Sequence, residues 1–239
     1  MSCLWNPWHG CKKISEGCRH CYVYRIDGKH GRDPSEVTRN KDFDLPIKKK
    51  RNGEYKISPG ETVYTCFSSD FLLDIADEWR NEAWSCIRQR SDLNFIFLTK
   101  RIHRLAECLP NDWGDGYDNV VIGCTCENQQ TADFRLPIFM SLPIKHRVIV
   151  SEPLLGEIDF SELVDNRVEK IIVGGESGDQ ARLCDFEWVK KIHSFCMENS
   201  ISFFFKQTGA NFKKGDRVYR IHRKYQFEQA KKANLDFEF

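Results

Sequence analysis

Short runs of β-branched and aromatic residues alternate with longer helical patterns along this chain, and this alternation restricts its fold more than any other feature. The runs begin roughly 24 to 32 residues apart, the length of a strand, a helix and two loops. Two intervening segments, 77–90 and 185–197, have helical periodicity. The second is predicted to have an apolar stripe of Trp188, Ile192 and Phe195 behind an Asp185 N-cap. Because the runs are continuously apolar, they are predicted as strands buried on both faces: 62–67, 94–98, 120–123, 147–150, 170–173 and 202–205.

Nearly every one of these runs ends in polar, charged or small residues. In parallel α/β folds the carboxyl ends of the strands form one rim, where ligands bind. These endings therefore predict a site at that rim rather than ordinary polar loops. The residues concerned are Ser68, Ser69, Asp70, Thr99, Lys100, Arg101, Glu127, Asn128, Ser151, Glu152, Gly174, Gly175, Glu176, Ser177, Lys206 and Gln207.

The pattern predicts an α/β fold, a complete or partial (β/α) TIM-type barrel with parallel strands, in a single domain of residues 1–239. Ser2–Trp5 is the first of seven predicted strands, and 218–221 is a candidate for a further one. A doubly wound open sheet is the alternative architecture. Three segments lie outside the repeat: a loop at about 8–23, a basic insertion at about 24–60 and a C-terminal extension at about 208–239.

Cysteine is abundant, with 11 residues among 239. The N-terminus lacks the charged start, apolar stretch and cleavage site that together form a secretory signal. No apolar run approaches the roughly 18 residues that a membrane helix needs. We therefore expect a soluble cytoplasmic protein that makes no membrane contact. Thiols in that compartment are reduced, so clustered cysteines favour a metal over disulfides.

Three of the cysteines lie close together directly after the first predicted strand. Cys11, Cys18 and Cys21 are spaced C-x6-C-x2-C, and Gly10 and Gly17 allow the loop to turn tightly. Thiolates are soft ligands that suit iron–sulfur clusters or zinc. Structural zinc needs a fourth ligand, for which the candidates are Cys3, His9, His20 and His30, whereas a three-thiolate cluster leaves one iron open.

This loop resembles that of the radical S-adenosylmethionine superfamily, in which three cysteines follow the first strand of a β/α barrel and an aromatic residue, here Tyr22, follows the last cysteine. Six residues separate the first two cysteines here, whereas the more familiar spacing of that superfamily, C-x3-C-x2-C, has three. The whole chain is similar to a narrower branch, phage- and prophage-associated proteins of unassigned function that open with W-N-P-x-x-G-C. The similarity continues, in order, through 97–101, 126–129, 151–156, 173–178 and 203–207.

The resemblance implies a [4Fe–4S] cluster held by Cys11, Cys18 and Cys21, with S-adenosylmethionine on the open iron. It implies reductive cleavage of that cofactor and abstraction of hydrogen from a substrate, with an electron donor protein as partner. The superfamily's Gly-Gly-Glu element follows the second strand, whereas here it follows the sixth, so its role is not transferred. The candidate cofactor-binding residues are Ser68, Ser69, Asp70, Glu152, Gly174, Gly175, Glu176 and Lys206, and no catalytic residue is assigned.

Charge is nearly balanced over the chain, at +1, but not along it. Residues 1–60 carry 13 basic and 7 acidic side chains, and residues 206–239 carry 9 and 4. The phage-associated resemblance and the basic segments 48–51 and 213–224 favour a nucleotide, nucleic acid or modified base as the unidentified substrate, with a peptide or small metabolite as the alternative. The basic segments also support the alternative function, a non-catalytic nucleic-acid-binding module stabilised by zinc or a cluster. A third hypothesis is an enzyme that uses an open iron as a Lewis acid.

The remaining cysteines are predicted to have other roles. Cys124 and Cys126 end the third interior run and are expected to point to opposite faces, which makes a shared ligand role improbable. Five others are predicted to be small core residues: Cys66, Cys86, Cys108, Cys184 and Cys196.

Overall fold

The fold was established from a computed structural model, which describes residues 2–239. Within these residues the chain forms twelve strands and six α-helices. The strands are β1 (Ser2–Trp5), β2 (Trp8–His9), β3 (Thr38–Arg39), β4 (Thr62–Thr65), β5 (Asn94–Thr99), β6 (Val120–Thr125), β7 (His146–Ser151), β8 (Val168–Gly174), β9 (Leu183–Asp185), β10 (Ser202–Gln207), β11 (Asn211–Lys214) and β12 (Arg217–Arg220). The helices are α1 (Tyr22–Lys29), α2 (Asp77–Gln89), α3 (Leu105–Cys108), α4 (Gln129–Ser141), α5 (Phe186–Glu198) and α6 (Arg223–Lys231).

Seven strands of the described residues form one sheet in the order β1-β4-β5-β6-β7-β8-β10. The pairs β1–β4, β4–β5, β7–β8 and β8–β10 are parallel. The fold is therefore mixed α/β with strands in sequential order, as predicted. Because the order begins at β1 and ends at β10, a complete TIM barrel is not confirmed.

The sheet strands coincide with the seven runs predicted from the sequence, with ends that differ by up to two residues. Their inward side chains are fully buried, as Phe95, Phe97 and Ile171 illustrate. The alternate side chains of β5, Ile96 and Leu98, are only half-buried, so the prediction of strands buried on both faces is not confirmed there. The prediction of seven parallel strands is confirmed.

The described residues divide into two compact units. The first unit contains the residues up to Lys13 together with Val23–Gly123 and Leu142–His146. The second contains Ile14–Tyr22, Cys124–Ser141 and Arg147–Phe239. Each unit is discontinuous in sequence, so the chain passes repeatedly from one to the other.

Two details differ from the prediction. In α5 the buried stripe is formed by Phe186, Val189, Ile192 and Cys196, whereas the sequence pattern suggested one through Trp188 and Phe195. The candidate strand at 218–221 is β12, but it pairs antiparallel with β11 in a separate sheet of order β12-β11-β9. A short hairpin connection allows antiparallel pairing, whereas a parallel strand needs a crossover of about a dozen residues.

The end of the chain packs on the outer strand of the second unit. Phe237 forms an antiparallel bridge with Phe203 of β10, and their rings stack with centroids 6.0 Å apart. The bridge covers part of the β10 edge, which would otherwise expose unpaired backbone groups. Separately, no helix within residues 2–239 is both long and apolar enough to cross a membrane.

Candidate functional site

The backbone around Cys11 is folded tightly. Gly10 has φ +91°, and a side chain there would also collide with the backbone carbonyl of Glu36. The Cys11 amide donates to the Pro34 carbonyl at 2.8 Å, and the Tyr24 hydroxyl donates to the Cys11 carbonyl at 2.6 Å. These hydrogen bonds fix the backbone of the loop that carries the half-buried Cys11 thiol.

Arg101, just past the end of β5, brings a buried positive charge to this loop. Its Nη1 lies 3.8 Å from Cys11 Sγ and 3.2 Å from Asp70 Oδ2, and its Nη2 donates to the Lys12 carbonyl at 2.5 Å. Burial lowers the pKa of Arg101, but Asp70 and Cys11 outweigh burial and the pKa is raised. Arg101 is therefore a permanent cation beside a candidate metal-binding sulfur.

Asp70, a predicted cofactor contact, orients Arg101. Its Oδ1 accepts from the Thr99 hydroxyl at 2.8 Å and the Leu72 amide at 3.0 Å. Its Oδ2 accepts from the Lys100 amide at 3.1 Å and from Arg101. A carboxylate has about four acceptor positions, so these bonds occupy Asp70 fully. A cofactor would have to displace one of them, and the predicted contact stays a prediction.

The two serines before Asp70 differ in what they offer a ligand. The Ser69 hydroxyl donates to the Gly10 carbonyl and so helps to hold the cysteine loop. The Ser68 amide donates to Asn6 Oδ1 at 3.0 Å, but its buried hydroxyl has no hydrogen-bond partner among the described residues. An unsatisfied buried hydroxyl is costly unless something binds it. Ser68 is accordingly the better candidate for a ligand contact.

Cys18 and Cys21 lie in a compact turn of the second unit. The Cys18 amide donates to the Ser15 carbonyl at 3.0 Å, and the Cys21 amide donates to the Cys18 carbonyl at 3.3 Å. The first of these bonds closes a 3₁₀ turn at Glu16–Cys18. Both thiols are free and half-buried. The x2 spacing therefore keeps the two sulfurs on one short turn.

A fully buried carboxylate supports this turn. Glu127, just past β6, accepts from the Ser15 hydroxyl at 2.5 Å and from Arg135 Nη1 at 2.7 Å. A side chain at Gly17 would collide with Glu127. Gly17 is therefore required for close approach between the loop and the strand end.

Glu176, a predicted cofactor contact after β8, also supports the cysteine turn. It accepts from His20 Nδ1 at 3.1 Å, from Arg182 Nη2 at 2.6 Å and from the Arg182 amide at 2.9 Å. Burial would raise the pKa of Glu176, but the hydrogen bonds from Arg182 and His20 hold the pKa below its usual range. The carboxylate is thus ionised at neutral pH and fixes His20, which directly precedes Cys21.

Glu152 and Lys206 form an ion pair with each other. Lys206 Nζ lies 2.7 Å from Glu152 Oε2, and the Gln207 amide donates to Glu152 Oε1. Desolvation, with smaller contributions from Cys21 and Glu152, raises the pKa of Tyr22 to about 12. Glu152 therefore lies within electrostatic reach of the residue that follows the last cysteine.

The two predicted cofactor-binding glycines contact protein backbone and side chains. A side chain at Gly175 would collide with the backbone of Thr208 and Gly209. One at Gly174 would come within 3.1 Å of Glu152 Oε1 and 3.2 Å of Gln207 Cγ. Their lack of a side chain therefore allows close packing after β8 and β10. Their contact with a cofactor stays a prediction.

The donor chemistry of the three cysteines fits an iron–sulfur cluster or zinc, since none of the three forms a disulfide and all are half-buried. Within residues 2–239, however, no group of three or more His, Cys, Asp or Glu side chains is already arranged to hold a metal ion. Metal sites often acquire their geometry when the metal binds, because unliganded thiolates repel each other. The ligand set Cys11, Cys18 and Cys21 stays a prediction.

Comparison with known proteins identifies the family to which this chain belongs. A family model described as "Protein of unknown function (DUF5131)" matches residues 1–236. The chain belongs to the DUF5131 family. No curated protein and no solved structure matches it. The DUF5131 match covers the cysteine loop and all the strand ends described above, but its description assigns no activity, so function has to be argued from the residues.

Other cysteines of this DUF5131 chain behave largely as predicted. The five expected core cysteines are buried: Cys66, Cys86, Cys108, Cys184 and Cys196. The expectation that Cys124 and Cys126 point to opposite faces is wrong. Residues two apart on a strand share a face, and a hydrogen bond between the two thiols contributes to the raised pKa of Cys126.

The sequence placed Arg101 and Glu127 at the predicted rim but assigned neither a role at the DUF5131 site. Each follows a strand end, which was the signal that put it there. Arg135 and Arg182 lie away from any motif, and their roles depend on contacts with Glu127 and Glu176 that the sequence does not reveal.

Proposed function

We propose that this chain is a radical S-adenosylmethionine enzyme in which Cys11, Cys18 and Cys21 hold a [4Fe–4S] cluster. The observation that most supports this is the buried Arg101 guanidinium, held by Asp70 at 3.2 Å and directed at Cys11 Sγ at 3.8 Å. Positive charge beside a thiol favours its thiolate form, which is the form that binds iron. Arg101 thus balances the charge of Asp70 and also lies where it can stabilise a Cys11 thiolate.

The chain's own residues hold the cysteine loop at several points. Arg101 and Ser69 bind the backbone carbonyls of Lys12 and Gly10 on the Cys11 side. Glu127 and Glu176 bind Ser15 and His20 on the Cys18 side. These contacts position the ligands and limit loop motion. When bound, the cluster and S-adenosylmethionine would supply reductive cleavage of the sulfonium and abstraction of hydrogen from a substrate.

The finer features of the prediction belong to the same proposal. The seven sheet strands would form a partial β/α barrel, with the cofactor at the carboxyl ends of its strands. Ser68 would offer its unsatisfied hydroxyl to S-adenosylmethionine. The enzyme would act in the cytoplasm, where thiols stay reduced and an electron donor protein is available.

The test is anaerobic reconstitution with iron and sulfide. We expect about four irons per chain, an electron paramagnetic resonance signal that changes when S-adenosylmethionine is added, and release of 5′-deoxyadenosine after reduction. Cys11→Ala, Cys18→Ala and Cys21→Ala should each abolish iron retention. Cys86→Ala is the matched control, since this buried core thiol should not affect it. A colourless protein with one tightly held zinc, or equal iron in all four variants, would overturn the proposal.

A further inference from the structure

One surface of the second unit combines positive charge with exposed aromatic rings. It consists of β12, the preceding Lys214 and the first half of α6, and we call it the hairpin surface. All four residues of β12 are exposed, and β12 is the outer strand of its sheet. The members of the hairpin surface are Lys214, Arg217, Val218, Tyr219, Arg220, Arg223, Lys224, Tyr225 and Phe227.

The cations of the hairpin surface form no ion pairs within the described residues. Lys213, next to it, pairs with Asp185 at 2.9 Å. Within residues 2–239, by contrast, no carboxylate forms an ion pair with any of five exposed cations: Lys214, Arg217, Arg220, Arg223 and Lys224. Mutual repulsion among such charges is relieved by an anionic partner, which favours a polyanion.

Exposed apolar groups lie among these charges. Tyr219 is 42% exposed, Tyr225 45% and Phe227 55%. On β12, Arg217 and Tyr219 share a face, and on α6, Arg223 and Phe227 are four residues apart on one face. Cations that bind phosphates beside rings that stack on bases are the pattern of proteins that bind single strands. A polyanion without bases would leave the rings in water.

The hairpin surface is firmly attached close to the candidate site. The Ala210 amide donates to the Glu176 carbonyl at 2.8 Å, and the Ile221 amide donates to the Ala210 carbonyl at 2.8 Å. The side chain of the same Glu176 binds His20 in the cysteine turn. A nucleic-acid strand bound on the hairpin would therefore lie next to Glu176, the residue after β8 that supports the turn carrying Cys18 and Cys21.

We propose that the hairpin surface binds single-stranded nucleic acid. Phosphates contact Arg217 and Arg223, and unpaired bases stack on Tyr219 and Phe227, the ring on the same face of each element. Unstacked bases are available in a single strand and not in a duplex, so a duplex binds more weakly. Binding does not require the cluster, so this proposal and the proposed enzyme function fail separately.

The test uses the full chain without iron and a fluorescein-labelled oligothymidylate of about twelve nucleotides, followed by fluorescence anisotropy at several salt concentrations. Arg217→Ala with Arg223→Ala should weaken binding about tenfold or more and reduce the salt slope of log K by about 1.4. Lys190→Ala with Lys191→Ala removes the same charge from α5 and should change neither quantity. Tyr219→Ala should weaken binding about tenfold, whereas Tyr219→Phe should retain it.

Four results would overturn this proposal. The first is absence of binding, and the second is an equal loss of oligonucleotide affinity in the Lys190→Ala, Lys191→Ala control. The third is tighter binding of a duplex of the same length, and the fourth is complete displacement of the oligonucleotide by polyglutamate at equal charge. Binding of an oligouridylate in place of the oligothymidylate supports the proposal equally, and the tighter of the two identifies the natural strand. Cys11→Ala should bind as well as the unaltered chain.

Discussion

At the scale of single residues, the charged groups after the strands mostly bind each other. Asp70 uses its oxygens on Thr99, Leu72, Lys100 and Arg101, and Glu152 is occupied by Lys206. The sequence predicts such residues as ligand contacts because of where they stand in the chain. Through Arg101, Asp70 supports the cysteine loop, whereas Glu152 is held by Lys206 and Gln207. Of Ser68 and Ser69, only Ser68 has an unsatisfied hydroxyl within the described chain.

Removing the charge of Asp70 should be strongly destabilising. Asp70→Asn leaves the buried Arg101 without its counter-ion, and breaking a buried pair in this way costs about 3 kcal/mol. The control is Glu82→Gln, which breaks the exposed pair with Arg39 at 2.6 Å and should cost under about 1 kcal/mol. Urea unfolding of the iron-free chain measures both free energies. Equal costs would contradict the structural role given to Asp70.

At the scale of elements, the start of α5 is fixed by one contact that is local in sequence and one that is long-range. Asp185 caps the helix by accepting from the Glu187 amide at 3.0 Å, as its position before the apolar stripe predicts. It also binds Lys213 of β11 at 2.9 Å, which ties the helix start to the hairpin. The second contact joins residues 28 apart in sequence and is invisible to local patterns.

Asp185 should stabilise the protein in a pH-dependent way. Burial would raise the pKa of Asp185, but hydrogen bonds from Lys213 and Glu187 outweigh it and lower the pKa. The stabilisation is therefore complete above the unfolded-state pKa of about 3.9 and is lost as pH falls through the lower folded-state pKa. Asp185→Ala should lower stability by about 1 kcal/mol at neutral pH and by less at about pH 3.

Thermal unfolding followed by circular dichroism at the two pH values measures this difference. Asp185→Asn retains a good capping side chain and is the control for the charge. It should lose less stability than the alanine variant at neutral pH. An alanine variant whose loss is the same at both pH values would show that the carboxylate charge contributes nothing.

At the scale of the whole molecule, the two compact units are interleaved along the chain. The DUF5131 match over residues 1–236 spans both. The cysteine loop itself is divided, because residues up to Lys13 belong to the first unit and Ile14–Tyr22 belong to the second. Neither unit corresponds to a continuous segment that could fold before the rest of the chain is present.

This interleaving predicts a single cooperative unfolding transition, because ordering either unit restrains the chain ends of the other. Five tryptophans lie in the first unit and Trp188 lies in the second. In Trp188→Phe, fluorescence therefore reports on the first unit, whereas far-ultraviolet circular dichroism reports on both. The two signals should give the same urea midpoint. Separate midpoints would show that the units unfold independently.

Periodicity, turn residues and cysteine spacing were sufficient to predict the seven sheet strands, the Asp185 cap and the loop that carries the candidate ligands. These are short-range properties, set by neighbours a few residues away. The partners of the charged groups were not predictable in this way, since Asp70 meets Arg101 across 31 residues and His20 meets Glu176 across 156. Such pairs form because folding brings strand ends together, and no local pattern records which ends will meet.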